Sequence, residues 1–209
     1  EFINIKNNFS LSNYSLLSSY NIALALRKKN DLRASNEQLY SMIVKVYDAE
    51  ILVESFLLLG DNYFDQAKFD SSYKYYSKAF DLSREKLSGA SSSVLTLSGV
   101  RGILLSVNSQ SGSSKMEEEA RNLLRRLSGI GLEGEINSLV GNILFNAGKY
   151  TESITYLEYS DKPDSYYKAG LAFLKIGRKQ QAIQFLTKAA KSDEFRDRAY
   201  LELGRLEYD

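Results

Sequence analysis

Apolar and polar positions follow one another along this chain with a helical period and in a recurring order. An aromatic residue is followed after two positions by Leu or Ala and then Gly, and after two more positions by a second aromatic. The clearest copy reads Phe56, Leu59, Gly60 and Tyr63. This spacing gathers the apolar residues on one stripe of a helix, and the glycine lets a partner helix come close. The pattern therefore predicts an amphipathic helix that packs tightly against a neighbour.

A second helix is predicted after each clear copy of this phrase. It carries a small residue, an aromatic or Leu four positions later, and another small residue three positions after that. Two copies share this spacing: Ser72, Tyr76 and Ala79, and Ala182, Leu186 and Ala189. Gly170 and Gly204 in successive copies of the first phrase lie 34 residues apart. Because one helix hairpin cannot bury its apolar stripe alone, hairpins with a fixed step are expected to stack.

The step and the phrase together resemble the tetratricopeptide repeat. The segments 67–69 and 177–179 occupy the place of the small-Lys-aromatic turn that is common in this family. The resemblance implies an all-α, right-handed α-solenoid of stacked antiparallel helix hairpins, forming a single array over residues 1–209. In that array the repeats are strong at 53–84 and 163–193, degenerate at 16–48, 92–128 and 134–162, and partial at 197–209.

Two stretches rich in Ser and Gly, 88–93 and 109–114, bracket the degenerate middle repeat. Such stretches are typical of flexible, solvated segments, so we expect the array to bend or to pack loosely there. The helix pairs predicted around them are 10–29 with 33–47, 49–65 with 69–87, 91–109 with 115–128, 133–147 with 150–160, and 164–176 with 179–192, and a last helix starts near 195.

Composition narrows the classes of function. The net charge of +1 does not supply the basic surface expected of a nucleic-acid binder. No run approaches the ~18 apolar residues that a membrane-spanning helix needs. The chain begins at Glu1 without Met and stops at Asp209 inside the first helix of a repeat, so we expect it to be an excerpt or a processed product.

The chain offers little for catalysis. It has no His and no Cys, which excludes a Ser–His pair, a Cys nucleophile and the usual thiolate or imidazole metal sites. No phosphate-binding glycine loop is present. Carboxylate pairs such as Asp61 and Asp65 are typical of a polar helix face. We therefore expect no enzyme activity, no cofactor and no metal in this chain.

The resemblance does imply a binding surface. In this family the first helix of each hairpin lines a concave groove that binds extended peptides or helices. Apolar groups beside amide and ammonium donors suit a peptide with apolar anchors. Burial of Tyr167 or Leu171 against a neighbouring hairpin stays open as the alternative. The groove residues implied are Leu57, Asp61, Phe64, Ser138, Asn142, Phe145, Tyr167, Leu171, Leu174 and Lys175.

One subset of the family grips a C-terminal carboxylate with Lys and Asn on this face. Asn142 stands at the place of the Asn, but Ser138 stands where the Lys would be. The substitution argues against that type of binding here.

The sequence thus favours a non-enzymatic scaffold for another protein, with no nucleic-acid partner. By analogy we expect a bacterial multiprotein assembly of the cell-envelope or flagellar-motor type, in the periplasm or envelope rather than the cytoplasm. A substrate-recognition module of a larger enzyme remains the alternative. The incomplete last repeat is expected to expose Tyr200, Leu203 and Leu206, to be covered by a further helix, another domain or a second copy.

Overall fold

The computed structural model describes residues 13–208, and every regular element in that range is a helix. The all-α class expected from the sequence is confirmed. The eleven helices of this range are α1 (Asn13–Lys28), α2 (Leu32–Ile43), α3 (Ala49–Asp65), α4 (Phe69–Lys86), α5 (Gly89–Ser111), α6 (Ser113–Arg126), α7 (Glu133–Asn146), α8 (Tyr150–Leu157), α9 (Pro163–Lys175), α10 (Lys179–Ala189) and α11 (Arg196–Tyr208).

Local signals in the sequence set several helix ends. The Asp48 carboxylate accepts the backbone N–H of Ile51 at 3.0 Å and caps α3. Asp31 caps α2 in the same way, accepting the N–H of Ala34 at 3.0 Å. Pro163 is the first residue of α9. Its lack of a backbone N–H costs no hydrogen bond there, because the N–H groups of the first helical turn have no acceptor inside the helix. Each cap satisfies a backbone donor that has no partner inside its own helix.

The helices divide between two compact units, Glu1–Gly112 and Ser113–Asp209. Unit 1 contains α1 to α5, and unit 2 contains α6 to α11. The boundary falls at Gly112, whose φ of 81° lies in the left-handed region that glycine adopts at little cost. The first helix of the predicted middle repeat, 92–128, therefore belongs to unit 1 and its second helix to unit 2.

Unit 1 is built from hairpins around one apolar core. Helix α1 pairs with α2 and α3 pairs with α4, while α5 packs along α4. The first helices α1, α3 and α5 also contact one another in succession, so they lie side by side along one face. A core cluster at the first two hairpins holds Ala23, Leu39, Met42, Val46, Leu58 and Leu59.

Unit 2 repeats this arrangement. Helix α7 pairs with α8 and α9 pairs with α10, while α6 and α11 pack on the two ends of this pair of hairpins. A Cβ added at Gly141 would lie 2.6 Å from the Leu157 side chain, and one at Gly170 would lie 2.7 Å from Leu186. The close helix approach expected at these glycines is therefore present in both hairpins.

The expectation of flexible segments around the middle repeat is wrong for most of their length. Residues 89–93 form the start of α5 and residues 109–111 form its end. Packing along α4 explains this: Thr96 is buried and its hydroxyl shares a hydrogen bond of 2.8 Å with that of Ser83. Tertiary contacts of this kind outweigh the weak helix preference of serine and glycine.

Helix α5 also corrects the expectation that no segment has membrane-spanning character. Within residues 13–208 it is the one helix that is long and apolar enough by length and composition to cross a membrane. Its Val100, Ile103 and Leu104 are buried inside unit 1. The apolar composition of α5 thus has a structural role in this fold as the helix that closes the core of the unit.

Candidate functional site

The first helices of unit 1 enclose a groove with a volume of about 410 Å³. It contains three of the residues that the family resemblance implied, Leu57, Asp61 and Phe64 of α3. The flanking helices complete it from both sides, so the groove is an assembled feature of three helices and not a property of one. Its lining residues are Arg27, Leu57, Asp61, Phe64, Tyr76, Ser98, Arg101, Gly102 and Leu105.

Tyr76 forms the floor of this groove, although it belongs to α4 on the far side of the first helices. A Cβ added at Gly60 would lie 2.7 Å from the Tyr76 ring, and one at Gly102 would lie 2.3 Å from it. The ring is therefore held between the glycines of α3 and α5. Its hydroxyl reaches the groove and donates to Oδ1 of Asp61 at 2.5 Å.

Arg27 of α1 is fixed at one wall of the groove by two contacts with α3. Its Nη1 donates to Oδ1 of Asn62 at 2.7 Å, and its Nη2 lies 2.7 Å from Oδ2 of Asp65. Asn62 is fully buried and donates to Ser35 at 2.9 Å and to Asn36 at 2.8 Å. Because this network holds the guanidinium at both ends, Arg27 is a rigid part of the wall.

Asp61 is the acidic group of the groove. Burial raises the pKa of its carboxyl group, and the hydrogen bond from Tyr76 and the charge of Arg27 offset only part of that rise. Burial also raises the pKa of the Tyr76 hydroxyl, and the charge of Asp61 adds to that effect. Tyr76 therefore remains a hydrogen-bond donor at neutral pH, and Asp61 is its acceptor.

Arg101 of α5 is the second cation of the groove, and it differs from Arg27 in its bonding. It is exposed on the opposite wall. Across the part of the chain that the structure describes, its guanidinium makes no hydrogen bond or ion pair. It interacts with Asp61 through charge alone. A partner group that binds at this wall could therefore accept hydrogen bonds from any N–H of the Arg101 guanidinium.

In unit 2 the implied groove residues of α7 are used differently. Nδ2 of Asn142 donates to Oδ2 of Asp164 at 3.1 Å and lies 3.4 Å from Oγ of Ser138. The hydroxyls of Ser138 and Ser165 are 2.9 Å apart. Asp164 and Ser165 belong to α9, so these polar groups join two neighbouring first helices. Ser138 and Asn142 are half-buried in this contact.

The aromatic and aliphatic groups implied for unit 2 divide into two sets. Phe145 and Leu174 pack against the core between the two hairpins. The ring of Tyr167 is half-buried and lies against Phe195, with centroids 5.6 Å apart. Leu171 is half-buried and Lys175 is exposed. These last two are the members of the implied set that remain accessible on α9.

Six lining residues of the unit 1 groove were not anticipated from the sequence. A signal for one of them was present: Tyr76 stands where the matching helices of unit 2 carry Leu157 and Leu186, and a phenol brings a hydroxyl that leucine lacks. The others depend on how α1 and α5 turn toward α3, which the sequence pattern does not specify. The six are Arg27, Tyr76, Ser98, Arg101, Gly102 and Leu105.

Metal binding finds no support in the described residues. Between residues 13 and 208 the structure holds no group of three or more Asp and Glu side chains arranged to bind a metal ion. The groove is accordingly a surface of mixed apolar and polar character, with hydrogen-bonding groups at its floor and walls.

Comparison with known proteins bears on this geometry. The family model for the tetratricopeptide repeat matches residues 53–86 and 163–195, which contain the two repeats that the sequence shows most clearly. No curated protein sequence matches the chain. The likeness at sequence level therefore rests on these two segments.

Solved structures extend the likeness to the fold. BtubC (BKLC) from P. vanneervenii has a TM-score of 0.62 and 11% identity over 97% of this chain and 87% of that chain. The nearly identical TPR-like repeats of a putative kinesin light chain from Podosopora anserina give 0.54 and 12%, over 83% and 92%. YrrB, a TPR protein, gives 0.50 and 13%, over 97% of both chains. The chain therefore contains two segments that match the tetratricopeptide repeat, 53–86 and 163–195, within a helical-repeat fold that it shares with these structures.

Proposed function

We propose that this chain is a non-enzymatic scaffold that binds a segment of a partner protein, as an extended peptide or a helix, in the groove of unit 1. The observation that carries the proposal is the groove itself. It brings apolar side chains, a half-buried carboxylate and a guanidinium without an ion-pair partner among the described residues together on the face formed by the first helices. Sites for protein segments combine apolar anchors with a few placed polar groups in this way.

The repeat architecture supports this class of function. Tetratricopeptide repeats serve mainly as protein-interaction modules, and YrrB is described as a TPR protein with an unusual peptide-binding site. In unit 2 we propose Leu171 and Lys175 as the accessible members of a second, smaller contact area. Phe145, Leu174 and Tyr167 shape that area from below through their packing.

The proposed setting is a bacterial multiprotein assembly of the cell-envelope or flagellar-motor type. The composition, rich in Ser, Asn, Lys, Ile and Tyr, is typical of proteins from AT-rich bacterial genomes. A chain without cysteine tolerates an oxidising compartment, which is compatible with a periplasmic location. Similar repeat proteins act in such assemblies, and this analogy supports the setting.

A second contact is proposed at α11. Tyr200 and Leu201 on this helix are 60% and 57% exposed, and Leu203 and Leu206 are half-buried. Exposed aromatic and leucine side chains next to one another favour association with another apolar surface. We propose that this face supports self-association through Tyr200, Leu203 and Leu206.

The test of the scaffold is affinity capture from the source cell with a matched pair of variants. Leu57→Ser with Leu105→Ser removes two apolar walls of the groove, whereas Val94→Ser with Ile130→Ser removes two exposed apolar residues outside it. A partner held by the parent and the control, and lost by the groove variant, supports the proposal. A partner held equally by all three overturns the groove as its site. Cooperative melting of each variant is the check on folding.

A further inference from the structure

We propose that the groove of unit 1 recognises a partner segment in which an Asp or Glu side chain lies beside an apolar side chain, with Arg101 binding the carboxylate. This inference rests on the proposed function and specifies the chemistry of its ligand. It follows from the distribution of charge and bonding among the lining residues. Two of them are arginines and one is an aspartate, and the three differ in what they already bind.

Arg27 cannot serve as the main ligand group because its guanidinium is already committed. It contacts Asn62 and Asp65, each at 2.7 Å, and displacing it from Asn62 would leave the buried Oδ1 of that residue without a partner. Arg101 has no such commitment in the described part of the chain. A guanidinium and a carboxylate form charge-assisted, often bidentate hydrogen bonds that are stronger than those between neutral groups.

A basic segment is disfavoured by the same geometry. Asp61 is the one carboxylate lining the groove, and it already accepts the Tyr76 hydroxyl at 2.5 Å. Arg27, which is paired with Asp65, and Arg101, which is unpaired among the described residues, stand on either side of it, so an incoming ammonium or guanidinium would meet the like charge of Arg101 without a free carboxylate in the groove lining to offset it. Glu54, an acidic group on the same face of α3 that is unpaired within the described part of the chain, lies about 10 Å from Asp61 along the helix axis. The ligand carboxylate is therefore placed at Arg101, away from Glu54.

The apolar part of the ligand has its place between three half-buried side chains. Leu57 and Phe64 of α3 face the groove from one side and Leu105 of α5 from the other. The volume of about 410 Å³ suits a few side chains of a peptide, since small-ligand sites span roughly 300–1,000 Å³. Leu105 follows Arg101 by one turn of α5, so the apolar and acidic groups of the ligand must lie close together.

The experiment is selection of a random peptide library on the whole chain, in parallel with Arg101→Glu. A matched control, Arg198→Glu, reverses an exposed arginine on α11. The parent and the control are expected to enrich peptides with an acidic residue next to an apolar one. Arg101→Glu is expected to bind these peptides about tenfold more weakly and to enrich basic residues instead. Absence of an acidic preference on the parent, or identical peptides on Arg101→Glu, overturns the inference.

Failure of this inference and failure of the proposed function give different results. Peptides without an acidic preference that are still lost on Leu57→Ser with Leu105→Ser leave the groove as a binding site and overturn the role of Arg101. No enriched peptide, or peptides that bind every variant equally, overturns both proposals. Thermal melting of each variant confirms that a lost interaction is not a loss of folding.

Discussion

Tyr76 shows how one side chain joins the packing of the repeat to the chemistry of its groove. The equivalent places in unit 2 hold Leu157 and Leu186, each against a single glycine of its own hairpin. Tyr76 lies against two glycines, Gly60 and Gly102. The additional space lets the longer ring pass between α3 and α5, and its hydroxyl then reaches Asp61.

The first prediction tests this close approach. Gly102→Ala would place a methyl group 2.3 Å from the buried Tyr76 ring, and we expect unit 1 to lose about 1–3 kcal/mol of stability because a buried ring must move. Gly204→Ala is the control, since no atom lies within 4 Å of its added Cβ. There we expect a gain of about 0.5–1 kcal/mol from helix preference. Chemical unfolding measures both, and equal effects would contradict the packing described.

The second prediction concerns Asp61 and pH. Because burial raises its pKa in the folded state above the ordinary 3.8, its ionised form costs stability at neutral pH. The cost falls as pH drops through the raised pKa and vanishes below the ordinary value. Asp61→Asn should therefore be more stable than the parent at pH 7, with a difference that disappears in acid. Thermal melts between pH 3 and pH 8 measure it. A stability difference between Asp61→Asn and the parent that grows as the pH falls would contradict the raised pKa of Asp61.

At the scale of the helical elements, the turns of the hairpins share one backbone feature. Gly148 and Gly177, in the turns before α8 and α10, have φ values of 74° and 75°. Ala67 occupies the same place before α4 with a φ of 55°. A residue with a Cβ is strained in this left-handed region, whereas glycine is not.

The third prediction follows from that strain. Ala67→Gly should stabilise unit 1 by about 0.5–1 kcal/mol, because the relief of backbone strain exceeds the added entropy of the unfolded chain. Gly177→Ala, its mirror control, should destabilise unit 2 by about 1 kcal/mol. Both effects are read from urea unfolding curves. An Ala67→Gly variant less stable than the parent would contradict the assignment of strain.

At the scale of the whole molecule, the proposed self-association at α11 leads to the fourth prediction. Tyr200→Lys should abolish any concentration-dependent rise in mass, because a charge at the centre of an apolar contact is costly to bury. Tyr159→Lys is the control, since Tyr159 is 77% exposed and lies outside α11. Sedimentation velocity over a concentration series makes the measurement. A parent protein that remains monomeric at every concentration would contradict the proposed self-association.

The sequence by itself determined the helical class, the two clear repeats and most helix ends. These follow from local causes: the apolar stripe at Phe56, Leu59 and Tyr63, and caps such as Asp48. The resemblance to the repeat family implied Leu57, Asp61 and Phe64 as groove residues, and their spacing of three and four places them on one side of a helix. The structure places all three in the lining of the unit 1 groove.

Only the tertiary structure decided which polar groups in the groove are free. Arg27 and Arg101 look alike in the sequence, yet one is held by Asn62 and Asp65 and the other has no such bonds. Likewise Ser138 and Asn142 are joined to α9, and residues 89–93 are helical because α5 packs along α4. Each outcome depends on which residues distant in the chain come into contact, and local sequence patterns do not specify those contacts.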